Sequence, residues 1–196
     1  MTIKPFDIAN IDIVATILAK MWSKDMFYGI EHDFELAREV VLNMFFDPQL
    51  ALQACDDDGK IQAVAFARMK SDVNTSGQWI EDFLADKDEE ERKKVLDTTF
   101  YLLRTERELL NLMCEDSAKF SFLISYKRGY ARALQERLMP MLYRRGARWT
   151  YHITDSTCSW QYFESHGFEK VHEELVERFS TPSQPYYCYM YRKRIK

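Results

Sequence analysis

The sequence is sparing with residues that break or staple a chain. Six glycines, five prolines and four cysteines are spread over 196 residues, which excludes a collagen-like or low-complexity chain. Cys55, Cys114, Cys158 and Cys188 form no C-x-x-C pair and have no histidine at ligand spacing. A disulfide framework is therefore not expected. The four histidines, His32, His152, His166 and His172, make no H-x-x-x-H or H-E-x-x-H pattern, so no metal is expected. There is no excess of positive charge either: 27 Lys and Arg face 31 Asp and Glu, a net charge of −4. Such a chain has no general attraction for phosphate backbones or anionic lipid, and neither nucleic acid nor membrane is an expected partner. No apolar run approaches the roughly 20 residues that span a bilayer. The opening Met-Thr-Ile-Lys-Pro-Phe-Asp lacks the charged-then-apolar layout of a secretion signal, which points to a cytoplasmic location.

What is present is apolar surface. Hydrophobic residues make up 46 % and aromatics 14 % of the chain, enough for one substantial core and one domain over residues 1–196. Helical spacing runs through 7–22 (Ile8, Ile11, Val14, Ile17, Leu18, Met21) and 32–46 (Phe34, Ala37, Val41). Strands are expected at 3–6, 50–55 and 61–69, the last two joined by Asp56-Asp57-Asp58-Gly59-Lys60, a hairpin signal. Residues 78–115 read as helix, 120–125 as strand, and 129–145 as helix with Gly146 as its stop. Pro140 should kink that helix or end its regular part early, at a cost of about 3 kcal/mol if nothing compensates. Strand 149–154, helix 157–166 and a strand pair at 168–179 and 186–194 complete the chain. Strands alternate with helices after residue 119, so part of the sheet should be parallel.

Charge is uneven. Residues 81–118 hold 12 acidic against 6 basic side chains, and residues 119–148 hold 8 basic against one acidic, Glu136. The acidic block reads first as a solvated helix pair, with a second reading in which it draws cationic amines. The basic block reads either as ordinary surface or as a handle on a small polyanion. The second reading gains from its position, because it opens where a strand ends and a helix begins. Gly129 and Ala131 are small enough for backbone N–H groups to approach a ligand closely, and the first helical turn leaves unsatisfied donors at the positive end of a dipole. A pyrophosphate fits such a place, and Lys127, Arg128 and Arg132 add charge to it.

The segment Arg128-Gly-Tyr-Ala-Arg-Ala-Leu134, followed by helix, strand and Tyr162-Phe-Glu-Ser-His-Gly-Phe168, resembles the Gcn5-related N-acetyltransferase (GNAT) family. Gly129 and Ala131 match the two small positions of its turn, while Tyr126 stands where the family has Gln or Arg. The resemblance implies an α/β acyl-CoA N-acyltransferase fold: a mixed central sheet, helices on both faces, and a helical insertion over about 71–119. It implies acetyl-CoA as co-substrate and an amine acceptor, small-molecule or peptide, that attacks the thioester directly. Backbone groups at Leu123, Ile124 and Ser125 would line pantetheine. Lys127, Arg128, Gly129, Tyr130, Ala131 and Arg132 would hold the diphosphate, with Ser159 and Phe163 beside the cofactor. The closing-helix tyrosine that protonates the leaving thiolate in many members is Phe163 here. Three readings compete: Tyr162 one place earlier, which a helix turns about 100° away; water, Ser156 or Cys158; or a non-catalytic acyl-CoA-binding module. Asp155 reads as base or as helix cap, His152 as a core or pocket-wall residue, and Cys158 as a buried thiol. The tyrosine face of Tyr187, Tyr189 and Tyr191 serves packing, an acceptor pocket or a homodimer contact.

Overall fold

A computed structural model describes residues 1–73 and 77–195. Its strands are β1 (Thr2–Pro5), β2 (Ala51–Cys55), β3 (Ile61–Met69), β4 (Ser117–Ser125), β5 (Trp149–Asp155), β6 (Glu169–Leu175) and β7 (Tyr187–Arg194). They form one sheet in the order β1-β2-β3-β4-β5-β7-β6. All neighbours are antiparallel except β4 and β5, which run parallel. The β2–β3 hairpin closes as its sequence directs. Asp56 Oδ1 accepts from the N–H groups of Asp58 and Lys60, and Gly59 takes a positive φ of 79°, which glycine adopts without steric cost.

The helices are α1 (Ile11–Trp22), α2 (Asp33–Met44), α3 (Gln78–Leu84), α4 (Glu89–Leu112), α5 (Tyr130–Arg144) and α6 (Gln161–Ser165). Alternation along the strands divides the core. Val64, Phe66, Phe122 and Ile124 pack on one face with Val14, Leu18, Leu36, Val41 and Val95 from α1, α2 and α4. Ala63, Ala65, Ala67 and Phe120 pack on the other with Leu134, Leu138 and Leu142 of α5. Farther along, Leu109 of α4 and the following Met113 cover Tyr151 and Met190. Thus α4 extends from the α1–α2 side to β5 and β7. Among the described residues no helix is long and apolar enough to cross a membrane.

The structure sharpens one local expectation and corrects two. The helical stretch over 78–115 is resolved into its two helices at a definite place, where the Lys87 N–H turns back onto the Leu84 carbonyl and Asp88 then caps a new helix through the Glu91 N–H. This pair forms the insertion between β3 and β4; residues 74–76 of it lie outside the described residues. The helix α5 does not stop at Pro140 but continues to Arg144. Pro140 is exposed, and buried Leu138 and Leu142 on either side hold the helix to the sheet. Finally, α6 begins at Gln161 rather than Thr157. Asp155 Oδ1 accepts from both the N–H and Oγ1 of Thr157, at 2.8 and 2.5 Å, so Asp155 caps a turn ahead of the helix and not the helix itself.

Candidate functional site

Two strands that begin as neighbours and then part create the main opening in the sheet. β4 and β5 pair over only three residues, Ser117 with Trp149, Ala118 with Thr150 and Lys119 with Tyr151. Beyond that point β4 keeps β3 but loses β5. A β-bulge sits at the divergence: Ala67 faces Phe120 and Phe66 faces Phe122, leaving Ser121 as an extra residue. Bulges bend the strand and increase its twist. This one also resets the side-chain alternation, so that Phe120 packs toward α5 whereas Phe122 and Ile124 pack toward α1 and α2. Arg68, buried, donates from Nε to Ser121 Oγ at 3.0 Å and from Nη2 to the Asn43 carbonyl at 2.6 Å, fixing the bulge from below.

Backbone direction past the bulge follows from one hydrogen bond. The Tyr126 N–H donates to the Gln62 carbonyl at 2.8 Å, so residues of the same parity direct their backbone groups at β3. Ile124 is one of these. Leu123 and Ser125 direct theirs at the open edge that β5 has left.

The turn after β4 is shaped by its own atoms. Ser125 Oγ donates to the Lys127 carbonyl at 2.8 Å, the Tyr130 N–H donates to the same carbonyl at 3.2 Å, and Gly129 takes φ +89°. Among the described residues, the N–H groups of Arg128, Gly129, Ala131 and Arg132 have no acceptor. A Cβ built on Gly129 meets nothing within 4 Å, so the turn is open on that side. Four free donors at the start of a 15-residue helix make an anion-binding surface.

Lys127 and Arg128 are exposed there, with Lys127 Nζ 5.5 Å from the centre of the Tyr130 ring. Tyr130 itself is buried against the α5 face. Arg132 reaches the other way, its Nε 2.7 Å from Glu136 Oε1. The rest of the basic block does not gather here: Lys119 is buried on Glu106, Arg145 pairs with Asp47, and Arg148 lies over the Tyr143 ring. The polyanion reading of residues 119–148 thus narrows to Lys127, Arg128 and the free backbone donors.

The opposite wall comes from β5 and α6. His152, buried, stacks on Phe120 at 4.5 Å and touches Phe163 and Phe168 at 5.0 and 5.1 Å. Burial pushes its imidazole down to about 3, so it is neutral. Phe163 stacks on Tyr191 and belongs to this aromatic layer. Tyr162 points toward α5, and its hydroxyl donates to Gln135 Oε1 at 2.8 Å. Partial burial raises its pKa, which keeps the proton on. Ser159 is exposed in the turn before α6. Cys158 donates from Sγ to Asp155 Oδ2 at 3.7 Å, and burial pushes its thiol up to about 12. That thiol is no nucleophile at neutral pH.

One residue escaped the sequence reading. Asp25, in the loop between α1 and α2, has its carboxyl pKa raised by burial and then by the charge of Asp155. The two carboxylates lie 130 positions apart in the chain, and no local pattern announces their proximity. Tyr186, buried, joins them; burial first and the Asp155 charge second raise its hydroxyl.

The sequence matches no family model and no curated protein. Its fold does match solved structures. One is a protein called SsHAT, at TM-score 0.67 and 15 % identity, covering 100 % of this chain and 98 % of that one. Another is a mosquito arylalkylamine N-acetyltransferase-like protein, at 0.65 and 14 %, covering 98 % and 99 %. A third is an agmatine N-acetyltransferase, at 0.63 and 12 %, covering 98 % of each. With its parted parallel strands, its turn of free amides and its helices on both faces of a mixed sheet, the chain has the GNAT fold.

Proposed function

We propose that this protein is an N-acetyltransferase that moves an acetyl group from acetyl-CoA to a primary amine by direct attack. The observation that carries the reading is the set of unengaged N–H groups of Arg128, Gly129, Ala131 and Arg132, next to the parted edges of β4 and β5. A diphosphate satisfies those donors, with Lys127 and Arg128 adding charge and Arg132 held partly by Glu136. The open-edge backbone groups of Leu123 and Ser125 bond the pantetheine amides. A backbone N–H on this edge polarises the thioester carbonyl and holds the oxyanion that develops. Ser159 and Phe163 border the same slot from the α6 side.

Juxtaposing amine and thioester supplies much of the rate gain. The leaving thiolate, of ordinary pKa about 8.5, takes its proton from Tyr162, whose raised pKa keeps it protonated until needed. Asp155 and Asp25 receive the proton of the incoming ammonium and attract its charge. Burial and the Asp155 charge raise the Asp25 carboxyl, which makes it a stronger base than an ordinary aspartate. A solution assay tests the scheme: free thiol is followed in acetyl-CoA with a panel of amines. Amine-dependent release is expected, with Asp25→Asn raising the KM for amine.

A second reading is a non-catalytic acyl-CoA-binding module. Phe163 at the usual tyrosine position and the engagement of the Tyr162 hydroxyl by Gln135 favour it. Saturable binding of acetyl-CoA with no amine-dependent thiol release across the panel would select that reading.

A further inference from the structure

A second polar constellation lies under the C-terminal half of α4, away from the turn and the parted strands. His172 and Glu174 are two apart on the edge strand β6, so both project from one face of the sheet. Glu108 comes down onto them from α4. Each offers one ligand atom, and the three ligand atoms lie within 4.8 Å of one another. His172 Nε2, Glu174 Oε2 and Glu108 Oε2 are buried and have no hydrogen-bond partner among the described residues. Each would ordinarily be paired, since a buried polar atom without a partner loses its hydration and gains nothing in return.

The other carboxylate oxygens are accounted for. Arg104, one turn before Glu108, places Nη1 at 2.8 Å from Glu174 Oε1 and 3.2 Å from Glu108 Oε1. The guanidinium thus engages Oε1 of each carboxylate, and Oε2 of each is left without a partner among the described residues. Two carboxylates against one guanidinium leave a residual negative charge beside the imidazole. The same charge is felt in the sheet: burial first, then Glu174, Asp155 and Glu108, raise the Cys188 thiol to about 11.

Glu31, His32 and Glu91 also cluster, but His32 Nδ1 lies 2.7 and 2.8 Å from the two Glu91 oxygens, and the His32 N–H adds a third bond at 2.9 Å. That group is satisfied by the protein. The α4–β6 group is not.

We infer that Glu108, His172 and Glu174 form a binding site for a divalent transition-metal ion of the zinc class, which ties α4 to the edge strand. One imidazole nitrogen and two carboxylate oxygens suit zinc better than calcium or magnesium, which prefer all-oxygen shells. Arg104 acts as the outer partner that orients both carboxylates.

The test uses the full chain, stripped with a chelator and titrated with Zn²⁺ against a chromophoric competitor, then with Co²⁺ for its visible spectrum. One Zn²⁺ per chain is expected, with a Co²⁺ spectrum free of thiolate charge-transfer bands. His172→Ala should abolish stoichiometric binding, Glu174→Gln should weaken it by at least about tenfold, and His32→Ala should leave it unchanged. At a hundredfold excess over Kd, Zn²⁺ should raise the melting temperature of the wild-type chain by about 5–10 °C. The inference is overturned if the folded wild-type chain binds no Zn²⁺, if binding survives His172→Ala, or if the Co²⁺ spectrum shows thiolate ligands. The wild-type titration and spectrum decide the matter even where a variant fails to fold.

Discussion

At the scale of single residues, chemistry is set by what each side chain is already committed to. Tyr162 holds its proton and spends it on Gln135, so its hydroxyl is positioned at the α5–α6 gap before any ligand arrives. Tyr162→Phe should lower kcat by about 10²-fold or more, in line with the loss of a general acid, with little change in the Kd for acetyl-CoA. An unchanged kcat would assign the proton to water. His152 makes a different kind of prediction. Its folded pKa lies at about 3 against an ordinary 6.5. Between those values the unfolded chain binds a proton that the folded one does not. Stability is therefore complete above pH 6.5 and falls by about 1.4 kcal/mol per unit as pH drops through that window. Denaturant melts over pH 4–7 should show this slope, and His152→Phe should flatten it. An identical slope in the variant would show that His152 does not titrate on unfolding. That histidine was readable from its apolar strand, whereas Asp25 was not, because its significance comes from a neighbour far along the chain.

At the scale of elements, the instructive residue is Lys119. It stands at the last paired position of β4 and β5, is buried, and binds Glu106 of α4. Burial lowers its pKa, and Glu106 opposes that shift. Removing one partner leaves the other charge buried, so Lys119→Met should destabilise the protein by about 3–5 kcal/mol. Adding Glu106→Leu should restore much of the loss. Two single changes whose costs simply add, measured by urea melts, would show that the pair is not coupled. The strand and helix order was legible because hydrophobic period and the Asp-Gly turn are local signals. The bulge at Ser121 was not, since nothing in Phe120-Ser-Phe122 distinguishes a regular strand from one with an extra residue. The break between α3 and α4 depended on one cap, Asp88, within a run of acidic residues that all favour helix starts. The helix pair was legible from its apolar stripe, but the residue at which it divides was not.

At the scale of the whole molecule, the sheet brings together what the chain keeps apart. β3 and β4 carry the bulge, β5 departs, and the β4–α5 turn presents its amides beside the gap. The insertion places α4 across the opposite face, where it supports the parting strands from behind through Lys119 and Glu106. Gly129 and Ala131 marked the turn in sequence because small residues at a strand-to-helix junction have a physical use there. The proposed acceptor side carried no such mark, because Asp25 of the α1–α2 loop and Asp155 at the end of β5 come under each other's charge only in the fold. The proposed activity requires the free amides of the β4–α5 turn to grip the diphosphate of acetyl-CoA. Calorimetric titration of acetyl-CoA into the wild-type chain and Gly129→Glu tests it most directly. Saturable one-to-one binding is expected of the wild type and none of the variant, whose side chain carries negative charge into the open turn. Equal affinity in the two folded proteins would contradict it.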